Sequence, residues 1–379
     1  MSAASALPLE ELVAEAQRVL AICNACRYCE GYCAVFPALE RRLEFDAADV
    51  HYLANLCHDC GACLDACQYA PPHEFALDFP AVMARVRAET YRKHAWPAAL
   101  RGAFARNGVV VGTCVAASLA GAFGLIVARA GPERFLSAWS DAQGSFYALV
   151  PHGMLASVFG ALFVFVLLAL AVGFARFWRG TGERAGGLLA PRASGSAAHD
   201  ALTLRYLDGG GDGCPYPDAK PSFARRRFHH LTFYGFLLCF AATCVAAVDH
   251  YALGWKAPYP FLSLPVLLGT AGGAGLVAGP LGLLRLKALR DPARADRPAT
   301  AMDVAFLLLL LATALTGLAL LALRETRAMG AALAIHLAMV FALFATLPYG
   351  KLVHAVYRFA ALARYHLERD RPPPAVAPE

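Results

Sequence analysis

Residues 23–33 read CNACRYCEGYC, and residues 57–67 read CHDCGACLDAC. Each cysteine of the first run, Cys23, Cys26, Cys29 and Cys33, has a counterpart 34 positions later, at Cys57, Cys60, Cys63 and Cys67. Both runs fall within residues 1–107, a segment of ordinary soluble polarity. From Gly108 onward long apolar runs alternate with short basic connectors. The whole chain is 58% hydrophobic and 16% charged, against roughly 45–50% and about 25% for a soluble domain. The excess lies almost entirely after residue 107, so the sequence divides into a small soluble head and a membrane body.

The first twenty residues contain Glu10, Glu11 and Glu15 and no basic stretch ahead of an apolar core, which is not the pattern of a secretory signal. Leu9, Leu12, Val13, Ala16 and Leu20 are spaced for an amphipathic helix of the head. A head kept in the reducing cytoplasm uses dense cysteines as metal ligands rather than disulfides.

A span needs about 20 mostly apolar residues to cross a core of roughly 30 Å. Six stretches meet that length or nearly so: 108–128, 150–174, 231–249, 261–284, 302–323 and 330–350. The expected fold is mainly α, a ferredoxin-like two-[4Fe–4S] head (1–107) followed by a six-helix transmembrane bundle (108–350). A cytoplasmic connector (175–229) and a cytoplasmic tail (351–379) complete it. Of the 34 Lys and Arg, only Arg129, Arg134, Lys256, Arg324 and Arg327 fall in the loops opposite the head. The positive-inside rule then places both termini in the cytoplasm, in a multi-pass protein of the inner membrane. The net charge of +6 is explained by that topology signal rather than by nucleic acid. In the fourth span, Gly269/Gly273 and Gly275/Gly279 stand at the spacing of close helix contact, or of a kinked span.

Each cysteine run is C-x2-C-x2-C-x3-C, which resembles the bacterial two-cluster ferredoxins. In those, three cysteines of one run and the last of the other hold each cube. The resemblance implies that Cys23, Cys26, Cys29 and Cys67 hold one cluster, and Cys57, Cys60, Cys63 and Cys33 the other. Proline normally follows the fourth cysteine; here Ala34 and Gln68 stand there, and uncrossed cubes are the alternative. A pair of zinc sites is the competing reading, but zinc sites use two C-x2-C pairs across a longer loop. Cys114, Cys239 and Cys244 lie in spans and read as inert thiols. Cys214, in the turn-rich GGGDGCPYPD, reads as structural or incidental.

Six histidines lie in or at the ends of apolar spans, where ionisable residues are rare and usually functional. His336 and His354 are five helical turns apart, about 27 Å along one helix face, a spacing for one haem near each membrane surface. Pro348 between them is a bend signal. His229 and His230 are available with His354 on the inner side, and His152 and His250 with His336 on the outer side, for bis-histidine b-type haem. Two haems, one haem or none are all open; without haem these histidines line a quinone pocket or sit at the interface. The segment LPYGKLVHAVYR (347–358) resembles the last ligand-bearing segment of the cytochrome b subunit of respiratory nitrate reductases. No dinucleotide fingerprint, P-loop, nucleophile elbow or catalytic dyad occurs. The chain carries electron carriers without a substrate site, and its donor belongs on another polypeptide.

CNACRYCEGYC, LCHDCGACLDACQYAPPHEF (56–75) and FHHLTFYGFLLCF (228–240) together resemble the tricarballylate- or citrate-utilisation protein B family, over essentially the whole chain. The resemblance implies a membrane iron–sulfur protein that reoxidises the reduced FAD of a tricarballylate dehydrogenase-like flavoprotein. Its electrons would pass through two [4Fe–4S] clusters and haem b to the quinone pool. Two rivals are the membrane arm of a heterodisulfide-reductase-like or glycolate-oxidase-like complex, and a redox-sensing partner of a tricarboxylate transporter.

Overall fold

A computed structural model describes residues 8–138, 145–215, 220–290 and 297–372. Residues 373–379 of the tail, and parts of the 175–229 and 285–301 connectors, lie outside the described residues.

The head is built from short helices around the two cysteine runs. Helix α1 (Leu9–Cys26) buries Leu12, Ala16, Val19 and Leu20, the face its periodicity predicts. It ends at Arg27, whose left-handed backbone (φ 55°) lets its N–H bond the Cys23 carbonyl at 2.9 Å and turns the chain inside the first cysteine run. After α2 (Val35–Leu39) comes α3 (Ala47–Leu56), capped by the Asp46 carboxylate, which accepts from the Asp49 N–H at 2.7 Å. The one-turn α4 (Ala62–Asp65) precedes α5 (Phe79–His94), capped by Asp78. Val19, Leu20, Val50, Leu53, Met83 and Val86 from α1, α3 and α5 form a shared apolar core.

The body follows as α6 (Asn107–Ala130), α7 (Pro132–Phe135), α8 (Ser145–Leu149) and α9 (His152–Gly180), then α10 (Pro191–Thr203) beside the head. Next come α11 (Ala224–Leu253), α12 (Leu264–Ala288), α13 (Arg297–Leu323), α14 (Met329–Thr346) and α15 (Val353–Arg369). Six of these, α6, α9, α11, α12, α13 and α14, are long and apolar enough to cross a membrane. They make this a multi-pass membrane protein. The apolar window of α14 is 56% buried, against 11% for α6, α9 and α11, so α14 is the central helix and the others present lipid-facing surface. Among the described residues the only strands are β1 (Cys214–Pro215) and β2 (Pro221–Ser222), a two-residue antiparallel pair.

Helices in lipid gain little from apolar burial against each other, so close backbone approach matters more. Helices α11 and α12 show this. A Cβ on Gly235 would come within 2.9 Å of the Gly272 carbonyl oxygen, and one on Gly279 within 2.6 Å of the Thr232 nitrogen. The expected Gly275 and Gly279 lie on the face α12 turns to α11, joined by Gly272 and Gly282, with Gly269 more loosely against Ala242; Gly273 instead faces Leu318 of α13. Gly279→Leu is expected to cost about 1–3 kcal/mol or more through overpacking, read as a lower unfolding midpoint in detergent. Gly269→Ala, whose Cβ would meet only Ala242 at 3.7 Å, should be neutral in the same assay.

Two expectations are corrected. His336 and His354 do not share one helix. Helix α14 stops at Thr346, residues 347–349 form a 3₁₀ turn, Gly350 is extended, and His354 opens α15. Pro348 cannot donate to the helical ladder, which is the reason for the break. The tail is also more than a tail. Residues 353–369 fold back as α15, and Tyr357, Ala360, Ala361 and Leu362 join the head core.

Helix α15 is held there by ions as well as apolar contact. Glu368 accepts from Arg42 of the head and from Arg364 Nε at 2.8 Å, while Asp49 accepts from Arg42 Nε at 2.6 Å. Both guanidiniums lie on the ring of Tyr52, at 5.0 and 4.2 Å from its centroid. The head meets the membrane body through Tyr349, whose hydroxyl donates to the Trp96 carbonyl at 3.0 Å, and Asn107, which donates to the Tyr349 carbonyl at 2.8 Å.

Candidate cluster sites and histidine groups

The two cysteine runs interlock. Cys23 and Cys26 occupy the last turn of α1, Cys29 lies in the turns that follow, and Cys33 stands just before α2. Cys57 ends α3, Cys63 lies in α4, and the loop between them reverses through left-handed Asp59 (φ 55°) and Gly61 (φ 84°). That loop aims the Asp59 N–H at Cys57 Sγ, 3.3 Å away.

Two cavities result. One is lined by Cys23, Cys26, Cys29 and Cys67, together with Cys63, Phe36 and Tyr69. The other is lined by Cys33, Cys57, Cys60 and Cys63, with Tyr32 and His58. The last cysteine of each run thus stands with the first three of the other, and Cys63 borders both cavities. Among the described residues no three His, Cys, Asp or Glu side chains converge to hold a single metal ion; the thiols ring cavities instead.

Burial pushes the Cys23 and Cys29 thiols up to about 12, with the neighbouring thiols adding to it. Burial raises Cys57 to about 11, and raises Cys33 and Cys63 as well. Four such thiols cannot all ionise together without a counter-cation at their centre. An iron–sulfur cube is such a centre, and binding displaces the thiol protons. The donor sets, and the apolar walls around them, fit that group.

Residues from far along the chain close over the second cavity. Cys214 is buried and lies within hydrogen-bonding reach of Cys60, so the thiol read as structural or incidental is packed against a cysteine of the second site. The 208–213 turn is packed too, with Gly210 against Tyr32 and Gly31. Three arginines bond the carbonyls of the second run's loop. Arg87 donates to Cys57 O at 2.6 Å, Arg358 to Leu56 O at 2.7 Å, and Arg225 to Asp59 O at 2.5 Å and His58 O at 3.3 Å.

Of the inner histidines, the structure groups His229 and His354 with a third, His58, from inside the second cysteine run. Burial, then Arg358 and the His354 and His229 imidazoles, hold His58 well below the ordinary histidine range. Burial and the cations Lys351, Arg87 and Arg358 do the same for His354, so both rings are neutral and available as ligands. His229 Nδ1 is buried with no hydrogen-bond partner, an orphaned polar atom suited to a ligand. His230 turns away, to the Thr203 and Leu202 carbonyls at the end of α10. Arg226 (to Thr203 O, 2.8 Å) and Tyr234 (to Leu202 O, 2.8 Å) bond the same carbonyls.

On the side away from the head, His152 and His250 stack on each other with ring centroids 3.6 Å apart and planes 18° from parallel, framed by Tyr147 and Tyr251. Rings in van der Waals contact leave no gap for a macrocycle between them. His336 is not in that stack. Its Nδ1 lies 3.2 Å from Thr316 Oγ1, and its ring sits where a Cβ on Gly317 would be, within 2.9 Å.

Reasoning from sequence did not single out His58 or Arg87, Arg225 and Arg358. His58 carried a signal, an imidazole inside a cysteine run. The arginines carried none, because only the fold brings positions 87, 225 and 358 to one loop.

Six apolar helices beneath a head with two interlocked rings of four thiols define a multi-pass membrane protein with a ferredoxin-type iron–sulfur head. The chain belongs to the citrate utilization protein B family. The family model described as citrate utilization protein B matches residues 104–375, and that of its Fer4-like domain matches residues 16–93. The chain is 51% identical over 367 residues to citrate utilization protein B of Escherichia coli, covering 96% of this chain and 94% of that protein. No solved structure matches it.

Proposed function

We propose that this protein is an electron-transfer subunit in citrate or tricarballylate utilisation, taking electrons from a reduced FAD and delivering them to the membrane quinone pool. The FAD belongs to a partner flavoprotein of the tricarballylate dehydrogenase type. The observation that carries the reading is the interlocked thiol geometry. Two four-cysteine sites lie side by side, and the second borders the buried group His58, His229 and His354 at the membrane body.

Cys23, Cys26, Cys29 and Cys67 would hold one [4Fe–4S] cluster, and Cys33, Cys57, Cys60 and Cys63 the other. Such clusters accept and release single electrons, which lets a two-electron flavin and a two-electron quinone exchange through a chain of one-electron steps. His229 and His354 would hold a haem b at the head side of the body. His230 is engaged at the end of α10, so of the two adjacent histidines His229 is the ligand. The protein's own contribution is insulation: Phe36, Tyr69 and Phe79 wall the first site, and the 208–213 turn and β1 cover the second. The distribution of Lys and Arg supports a head and both termini on the cytoplasmic side of an inner membrane.

The test is purification in detergent with iron, acid-labile sulfide and haem quantification, then mixing with reduced flavoprotein and a quinone. Both clusters and b-type absorbance bands are expected, with quinone reduced in step with flavin oxidation. Clusters without haem bands or quinone reduction would favour a sensing subunit of a transporter instead. His354→Ala is expected to abolish the haem bands and quinone reduction while iron and sulfide stay at wild-type levels. An unchanged reduced-haem spectrum in that variant would refute the assignment of His354.

A further inference from the structure

The two thiol sites differ sharply in the charges around them. The loop of the second site, 56–59, has its carbonyls bonded by three guanidiniums that come from α5, α11 and α15. Arg87 and Arg358 are 5% exposed, so their charges are poorly screened. An arginine stays protonated even when buried. The carboxylates that oppose them are Asp59, beside Cys57, and Asp303, which faces Arg87 but is itself paired with Lys287 and Lys351. The second site also receives a backbone donor, the Asp59 N–H on Cys57 Sγ at 3.3 Å.

Around the first site the picture is different. Arg27 is exposed, bends back to the Asn24 carbonyl at 3.0 Å, and shares its surface with Glu30 and Glu40. The side-chain donor on a thiol there is neutral, Gln68 Nε2 at 3.7 Å from Cys26 Sγ. The adjoining Tyr28 is 66% exposed, so this site is the one a soluble donor can approach.

Reduction of a cluster adds one negative charge. Fixed positive charge and hydrogen bonds to sulfur stabilise that added charge, so they raise the reduction potential. We propose that Arg87, Arg225 and Arg358 make the Cys33/Cys57/Cys60/Cys63 site the more oxidising of the two, so that electrons enter at the Cys23/Cys26/Cys29/Cys67 site and run inward. This rests on the cluster reading given above. In each step the cluster held by Cys23, Cys26, Cys29 and Cys67 would give up one electron, and the one held by Cys33, Cys57, Cys60 and Cys63 would gain it. A reduced flavin would refill the outer site, and the one haem that His229 and His354 would hold would take the electron on towards quinone. No proton moves, because the arginines keep their charge throughout. They are positioning residues that hold the loop and set its potential without touching the electron donor or acceptor.

The test is a redox titration of the purified full-length protein followed by electron paramagnetic resonance. Cys23→Ala and Cys60→Ala identify which signal belongs to which site. In the native protein the inner signal should titrate at the higher potential. Arg225→Gln keeps a hydrogen-bonding side chain and removes the charge. It should lower the inner midpoint by about 59 mV, a tenfold change in the reduced-to-oxidised ratio at fixed potential, and leave the outer midpoint in place. Arg225→Lys should hold the native value. Asp59→Asn removes the opposing carboxylate at a left-handed residue where asparagine is well tolerated, and should shift the inner midpoint upward, so the proposal stays testable if the arginine variant does not assemble. An inner site that titrates below the outer one, or inner midpoints unmoved in both Arg225→Gln and Asp59→Asn, overturns the proposal. Native protein without iron and sulfide overturns the cluster reading itself.

Discussion

Replacing Cys23 and Cys67 together by alanine is expected to cost the protein one cluster and spare the other, leaving half the native iron and sulfide. Replacing Cys23 and Cys33 together should remove both. The contrast follows from the two cavities. Cys67 lines the cavity of Cys23, Cys26 and Cys29, and Cys33 lines that of Cys57 and Cys60. If each run held its own cube, the results would invert: the first pair would destroy both clusters and the second only one. Alanine is the right replacement because a serine oxygen can still bind iron. Helix content by circular dichroism should stay near native for the first pair, since both thiols are only partly buried at the edge of the core that Leu20, Leu53 and Met83 fill. Cys63 borders both cavities, and its loss alone should remove the inner cluster and perturb the signal of the outer one.

Much of this architecture is legible in the sequence because the relevant signals are local. The 3.6-residue period of Leu12, Ala16 and Leu20 marks the buried face of α1. Length and hydropathy mark the six spans, although α11 begins at Ala224, seven residues ahead of the apolar stretch, because the helix continues through Arg225, Arg226 and Arg227. The cysteine spacing marks the thiol sets. What escapes is whatever the fold assembles from distant positions. Helix α15 looks like a polar tail because its core-facing alanines, Ala360, Ala361 and Ala363, are weakly apolar. Only its packing on the head brings Arg358 to Leu56 and His354 to His58. The same distance hides Cys214, which a two-residue strand pair delivers to Cys60. At the histidines, adjacent positions in one helix point to different faces, so His229 joins His354 while His230 caps α10. Position along the chain cannot separate them; helical phase and the neighbouring helix do.

That α15 carries Arg358 and His354 to the second site makes its anchorage decisive, and Glu368→Ala is expected to loosen it by about 3–5 kcal/mol. Glu368 is 8% exposed and accepts from Arg42, from Arg364 and, at 3.2 Å, from the Tyr52 hydroxyl. Removing it leaves two guanidiniums over the Tyr52 ring, with Asp49 as their remaining carboxylate. Two like charges in a half-dry site repel, and the cost is that of an uncompensated buried charge rather than of a surface ion pair, which is worth about 0–1 kcal/mol. Glu368→Gln, which keeps an acceptor oxygen but no charge, should recover part of the loss. Hydrogen exchange reads the outcome: amides of α15 and α3 should exchange faster in Glu368→Ala, while those of α11, α12 and α13 keep their native protection. The loop of the second site should then lose the Arg358 bond to Leu56 O, and the signal assigned to that site should broaden before that of the first. Unchanged protection of α15 would mean that the apolar contacts of Tyr357, Ala361 and Leu362 hold the helix without the ions.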